Sequence, residues 1–406
     1  MTEPTPLIMD DKTVPIWGNP DPCAVVQMEI CMKDEEAIAG ALMADHHKGY
    51  SMPIGGVIAY HNAVSPSGVG YDIACGNKAV RIELRRSQVR SRIKEVMDEI
   101  YNVIPFGVGR VQENPVEHEL FDSPLWDQLE EITPLKERAQ KQLGTIGAGN
   151  HFVDIFYDSQ DRIWVGVHFG SRGFGHKVAT GYMNLTKGRA FGDKPPHEDM
   201  DCRATILNLD EELGIRYWNA MRLAGTYAYA GRDHVCKQVA EILGGEIVEE
   251  VHNHHNFAWV EEHNGLPLVV IRKGATPANP GQRGFIGSSM AEPSVIVEGV
   301  ESELSKQALY STIHGAGRSM SRSKAKGKWR KKDGEYVQVK EGVIKWEDMW
   351  VQIQEADVEL RGGWLDEAPQ CYKRLPEVLA AHEGTIKIVE TLCPMGVAMA
   401  EPREAR

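Results

Sequence analysis

The segment Gly68-Val-Gly-Tyr-Asp-Ile-Ala-Cys-Gly76 sets a carboxylate, Asp72, and a thiol, Cys75, three residues apart inside a glycine-flanked turn. If the chain bends between them, such a pair can grip one metal ion or two adjacent ones. Polar residues and imidazoles recur beside other glycine turns. Gly147-Ala-Gly-Asn-His-Phe-Val-Asp154 supplies Asn150, His151 and Asp154; His168-Phe-Gly-Ser-Arg-Gly173 supplies His168 and Arg172; His252-Asn-His-His-Asn-Phe257 supplies three more histidines. Strand alternation leaves open which histidine of that run points inward. It does put His255 on the side of Val251, Phe257 and Trp259, the more apolar face. Oxygen ligands favour hard ions such as Mn²⁺, whereas Cys and His tilt towards Zn²⁺ or other softer metals. A mixed set fits a two-metal site with a bridging ligand. A structural zinc would more usually bring CxxC spacing, which is absent here.

The second chemical element is Ile313-His-Gly-Ala-Gly-Arg318. Small residues after His314 leave room for a large group on its ring, and the turn amides with Arg318 can hold phosphate. A neutral imidazole there could attack a metal-activated phosphorus and form a phosphoramidate. Out of context the same turn reads as a hinge. Directly after it, Arg318–Lys332 reads RSMSRSKAKGKWRKK, with eight basic residues and no acidic one. That run is either a solvated, mobile loop or an anion-binding arm with Trp329 available for stacking.

These residues need elements to bring them together. Lys78–Leu84 alternates as a half-exposed strand would, and Ile163–Phe169 reads as a buried strand running into a glycine turn. Ser87–Ile104 has helical spacing, and Glu211–Leu243 is mostly helical with Gly225, Gly231 and Gly244 as possible breaks or ends. Strands are expected at Glu249–Glu261, Leu266–Arg272 and Ser294–Glu298, and a closing helix at Glu377–Leu392. No internal repeat or Pro/Ser linker divides the chain. The expectation is one mixed α/β domain over residues 1–406, with Met1–Pro22 as a loosely held lead-in.

Composition bounds the rest. A chain of 406 residues with 42% hydrophobic and 25% charged residues can build a large core without disulfides. Seven cysteines at irregular spacings argue against a secreted disulfide framework. No apolar run approaches the ~20 residues of a membrane helix, and Met1–Asp10 lacks a signal-peptide pattern. A cytoplasmic protein without a membrane partner is expected. The net charge of -13 argues mildly against nucleic acid. That sum hides the local basic arm.

Taken in order, the segments resemble the RtcB family of GTP-dependent RNA ligases. The resemblance runs from about Asp45 to Tyr372. It is carried by Asp45-His-His-Lys-Gly49, the Gly68–Gly76 and Gly147–Phe152 segments, His168–Gly173, His255-Asn256, Arg272-Lys-Gly-Ala275 and His314–Arg318. It implies a fold of the family's own around two Mn²⁺ ions held by Asp72, Cys75, His151, His168 and His255. Cys75 would bridge, His151 and His255 would complete one site, and His168 the other. His314 would attack the α-phosphate of GTP and carry GMP. The nucleotide would be held by Asn150, Phe152, Asp154, Ser289, Ser294, Ala316, Gly317 and Tyr372, while Arg172 and Arg318 meet phosphates. The implied reaction opens an RNA 2′,3′-cyclic phosphate, activates the 3′-phosphate with GMP and joins it to a 5′-hydroxyl. The implied partner is cleaved tRNA or other structured RNA, in some members with an archease-like activator.

The sequence departs from the family in its nucleotide pocket. Asp154 stands where the family typically has Glu. The family's Pro-Gly-Ser-Met-Gly turn appears as Gly287-Ser-Ser-Met-Ala291, and the C-terminal Lys that contacts the guanine nucleotide falls at Met399. Lys387 or Arg403 would be the substitutes. The sequence therefore leaves three readings: a divergent RNA ligase, a metallophosphoesterase that opens RNA cyclic phosphates without guanylylation, and a non-catalytic RNA-binding relic.

Overall fold

The computed structural model describes residues 3–9, 12–195 and 199–401. Two sheets carry a mixed α/β domain, as expected. The first has six strands in the order Thr5–Ile8, Thr13–Ile16, Ala37–His47, Ile54–Tyr60, Leu266–Lys273, Asn256–His263. The second runs Ile247–His254, Gly76–Arg85, Arg162–Phe169, Phe152–Tyr157, Ile386–Met399, Ser294–Gly299, Arg283–Ile286, with Glu359–Arg361 laid parallel on Ile386–Met399. Strand Arg162–Phe169 is buried from Ile163 to its end, which requires cover on both faces and explains its near-continuous apolar sequence. Helix Glu212–Leu243 supplies cover from one side. No helix among the described residues is long and apolar enough to cross a membrane.

Several expectations change. Glu249–Glu261 is two strands, not one: the chain leaves the second sheet at His254 and enters the first at Asn256. His255 sits at the crossing, so strand alternation could not fix its direction. Gly225 and Gly231 do not break the long helix. A Cβ at Gly225 would come within 2.8 Å of the Phe257 ring, so the glycine lets the helix approach the sheet closely. The helix ends at Gly244, whose φ of 72° and ψ of 36° suit a left-handed cap.

The closing helix is Leu375–Ala380 alone. Gly384 turns the chain at φ 93°, and the β-branched run from Ile386 becomes a 14-residue strand paired with both Phe152–Tyr157 and Ser294–Gly299. Thr5–Ile8 and Thr13–Ile16 pair as a hairpin on the sheet edge, so the described part of the expected lead-in is ordered. The basic arm is a short helix, Arg322–Lys326, and a strand, Lys328–Lys332, paired with Glu335–Lys340.

One buried ion pair ties the first sheet to the His314 turn. Arg272 grips Glu261 bidentately at 2.6 and 3.0 Å, and also donates to Ser311 Oγ at 2.8 Å and to the Leu309 carbonyl at 2.9 Å. Ser311–Ile313 is the strand that delivers His314. Burial opposes ionisation of Glu261, but Arg272 and His263 hold its carboxyl down, from 4.5 to about 2. Stability from this group is therefore full above pH ~4.5 and is lost as pH falls towards 2, by about 3 kcal/mol in all. We expect urea midpoints of the wild type to fall from pH 6 to pH 3 more steeply than those of Glu261→Gln. Parallel pH profiles would contradict the assignment.

Candidate metal and nucleotide site

The two sheets meet at a cavity of about 300 Å³ lined by Asp72, Cys75, Asn150, His151, Phe152, Asp154, His168, His255, Ser289, His314, Ala316, Gly317, Arg318, Tyr372 and Met399, among others. Strand ends and the turns between them deliver these side chains. Cys75 precedes strand Gly76–Arg85, His168 lies one residue from the end of its strand, and His255 is the sheet crossing. Cys75 Sγ lies 3.7 Å from His151 Nε2 and 3.6 Å from His168 Nε2. These three ligand atoms lie within 4.8 Å of one another, a possible metal site. His151 Nε2 is also 3.0 Å from Asp72 Oδ2, while the His255 ring stacks on His168 with centroids 5.1 Å apart.

That arrangement pairs the histidines differently from the expectation. Asp72 lies against His151 and His255 against His168, with Cys75 Sγ within 3.7 Å of both His151 and His168. The His151–His255 grouping is not what the geometry favours.

The donor set fits a metal. Burial holds His168 and His255 well below the ordinary histidine range, so both are neutral with a lone pair to offer. His168 Nδ1 is 2.6 Å from Asn77 Oδ1, which fixes the tautomer and aims Nε2 at Cys75. The Nδ1 atoms of His151 and His255 are buried without partners. Burial, and then the Asp72 charge, push the Cys75 thiol well above its ordinary range. A thiolate there requires a cation beside it.

Arg232, a buried residue of the long helix, positions this cluster and was not legible as a site residue in the sequence. It donates to the carbonyls of Ala74 at 3.0 Å and Phe169 at 2.6 Å, the neighbours of Cys75 and His168. Its remaining donors meet His252 Nε2 and His254 Nδ1, both at 2.9 Å. Those two histidines are thereby accounted for as acceptors, and of the run only His255 faces the cavity.

His314 stands beside the cluster, its ring centroid 4.9 Å from that of His255. Asp45, fully buried, accepts from His314 Nδ1 at 2.6 Å and from its backbone N–H at 2.9 Å. Burial opposes ionisation of Asp45, yet the His314 ring and these hydrogen bonds hold the carboxyl below the ordinary range. With Nδ1 so engaged, Nε2 is the nitrogen left for chemistry. Asp45 lies in one of the motifs read from sequence, but nothing in the spacing assigned it this partner.

Of the expected nucleotide residues, only Ser294 does not line the cavity; its Oγ accepts from the Ser288 N–H at 3.0 Å and shapes the turn from behind. Phe152 stacks on His168 with centroids 5.5 Å apart. Cross-strand register puts Phe152 opposite Met399 and Asp154 opposite Val397, so all four share one face. Burial pushes the Asp154 carboxyl well above the ordinary range, and its Oδ1 has no partner. Ser289 Oγ is likewise buried and unpartnered. Lys387 cannot replace the missing cation, because it pairs with Glu298 at 2.7 Å on the far part of its strand; Arg403 lies outside the described residues.

The two arginines differ from the expectation. Arg318 lines the cavity but is engaged by Glu367 at 3.3 Å, Tyr372 Oη at 3.2 Å and the Asp366 carbonyl at 2.8 Å. Arg172 does not line the cavity. It donates to Thr145 Oγ1 at 3.1 Å and lies behind the cluster. A Cβ at Gly147 would come within 2.2 Å of its Nη1 and 2.5 Å of His151 Nδ1, so that glycine admits both side chains. Arg322, a member of the basic run Arg318–Lys332, also lines the cavity and contacts Asp366 and Glu367.

Comparison of the sequence with known proteins matches the chain to a family. The family model described as tRNA-splicing ligase RtcB covers residues 35–400. The chain is similar to the tRNA-splicing ligase RtcB of Thermococcus kodakarensis, at 30% identity over 88% of this chain and 86% of that protein. It is also similar to the RNA-splicing ligase RtcB of Escherichia coli K12, at 31% identity over 87% of this chain and 88% of that one, and to the tRNA-splicing ligase RtcB of Archaeoglobus fulgidus, at 30% identity over 89% and 87%. With the family match spanning every cavity residue named above and both sheets apart from Thr5–Ile8 and Thr13–Ile16, the chain belongs to the RtcB family.

Proposed function

We propose that this protein is an RNA ligase that joins an RNA 3′-phosphate, or the 2′,3′-cyclic phosphate that precedes it, to a 5′-hydroxyl through a GMP–His314 intermediate. The Asp45–His314 pair beside the Cys75–His151–His168 cluster carries this reading. His314 Nε2 attacks the α-phosphorus of GTP; the P–N bond forms as pyrophosphate leaves with the electron pair. Asp45 holds the Nδ1 proton and balances the charge that develops on the ring. An oxygen of the RNA 3′-phosphate then takes the GMP from Nε2. The 5′-hydroxyl oxygen attacks the activated 3′-phosphate, loses its proton and expels GMP. A phosphate monoester needs such activation because its own oxygens are poor leaving groups.

Asp72, Cys75 and His151 would hold one Mn²⁺, and His168 and His255, sharing Cys75, a second. Bound there, the ions would supply Lewis-acid neutralisation of phosphate charge.

The test is ligation of a 2′,3′-cyclic-phosphate RNA to a 5′-hydroxyl RNA with Mn²⁺, with and without GTP. GTP-dependent product supports the reading, and no product with any nucleotide contradicts it. Met399 and the unpartnered Oδ1 of Asp154 favour a second reading, in which cyclic phosphates are opened without any nucleotide. Met399→Lys discriminates between the two. A cation on the Asp154 face should lower the GTP concentration needed for ligation by about tenfold, the scale of one charged hydrogen bond. If hydrolysis proceeds equally with and without GTP in both proteins, the second reading holds.

A further inference from the structure

The cavity at His314 shares Arg322 and Glu367 with a second groove, whose walls include Lys326, Tyr336 and Trp364. Trp364 belongs to a row of four tryptophans. Its ring centroid is 6.4 Å from Trp329 and 5.5 Å from Trp346, and Trp346 stacks on Trp350 at 6.2 Å with planes 11° apart. Core packing accounts for Trp364. It does not account for Trp346 and Trp350, one turn apart on helix Trp346–Glu355 and 41% and 40% exposed.

The row is held rigid and flanked by positive charge. Trp329 Nε1 donates to the Lys326 carbonyl at 3.1 Å, which fixes its ring. In the hairpin of Lys328–Lys332 and Glu335–Lys340, Trp329 faces Gln338 and Lys331 faces Tyr336, so these four share a face. Lys331 is exposed on that face, and Arg330 and Lys332 on the opposite one. Of the acids nearby, Asp366 and Glu367 meet Arg318, Arg322 and Lys326, whereas Glu347 and Asp348, next to Trp346 on its helix, and Glu335 of the hairpin are exposed.

We infer that the tryptophan row and the Lys328–Lys340 hairpin bind a single-stranded stretch of the RNA substrate, which reaches His314 past Arg322 and Lys326. Ring faces take bases without regard to sequence, and the lysines and arginines track phosphates. A protein partner would also bury exposed rings. Continuity with the catalytic cavity and the basic strand beside the rings favour nucleic acid. The inference rests on the ligase reading above, and the test separates the two.

Binding of a fluorescent ten-nucleotide single-stranded RNA is measured without metal or nucleotide, so it needs no catalysis. For the wild type, affinity should fall with salt at a log–log slope near -3 if about four phosphates are neutralised. The Trp346→Ala/Trp350→Ala double variant should bind roughly 100-fold more weakly, about tenfold per ring, while its covalent labelling by GTP stays within twofold of wild type. A second variant, K331Q, removes an exposed lysine on the Trp329 face and should flatten the salt slope by about 0.7. Unchanged RNA affinity in both variants would overturn the inference, whether or not the protein ligates. So would a tryptophan variant that changes the sedimentation coefficient and not RNA affinity, which would mark a protein interface. A wild type that binds RNA through these residues but never labels or ligates would overturn the ligase reading alone.

Discussion

Asp45→Asn is expected to lower the ligation rate by roughly 10³–10⁴-fold, the scale for an aspartate that orients a reactive histidine, with metal content and melting temperature close to wild type. One carboxylate oxygen accepts both the Nδ1 proton and the backbone N–H of His314. An amide can keep its oxygen there, but it brings no charge to balance the ring when Nε2 acquires phosphorus. Turned the other way, it opposes Nδ1–H with a second donor. Either way kcat falls while the GTP concentration for half-maximal rate moves little, because Asp45 acts through His314. A drop confined to half-saturation, or a parallel loss of bound metal, would show a structural role instead.

The second large effect is at Cys75. Serine conserves the shape, but its hydroxyl does not ionise as the thiol does beside a cation. Since Cys75 Sγ lies near both His151 and His168, and the proposed centre holds two Mn²⁺ that share this sulfur, Cys75→Ser should leave fewer than one bound equivalent and reduce activity by more than ~100-fold. His151→Ala and His255→Ala should each retain about one equivalent. Metal analysis after gel filtration decides it. Two equivalents retained in Cys75→Ser would remove the bridging role, and loss of the same single ion in both histidine variants would restore the grouping expected from sequence.

What the sequence disclosed and what it hid have physical reasons. His151, His168 and His314 stood out in the sequence because each lies beside glycines or at a strand end, where backbone freedom and chemistry coincide, whereas His255 was singled out from its run only by the family resemblance. The strand Ile163–Phe169 was legible from its apolar run. Hidden were contacts made across long sequence separations. Asp45 meets His314 across 269 residues, and Arg232 reaches Ala74 across 158; no spacing rule spans such gaps. Helix periodicity misled at Glu377–Leu392, where two flanking strands capture Ile386–Met399 despite its Glu and Lys content. That error concealed why Met399 matters: only as the end of a strand does it face Phe152. The net charge of -13 misled in the same way. A sum cannot show that basic residues gather in one hairpin beside the cavity.

The central claim is that His314 Nε2 becomes covalently bonded to the nucleotide. Incubation with Mn²⁺ and GTP labelled at the α-phosphate, followed by acid-free peptide mapping, tests it most directly. One acid-labile label is expected on the peptide containing His314, absent in His314→Ala and released by a 3′-phosphate RNA. No adduct with GTP, ATP or any other nucleotide, in protein that holds its metal, would contradict it.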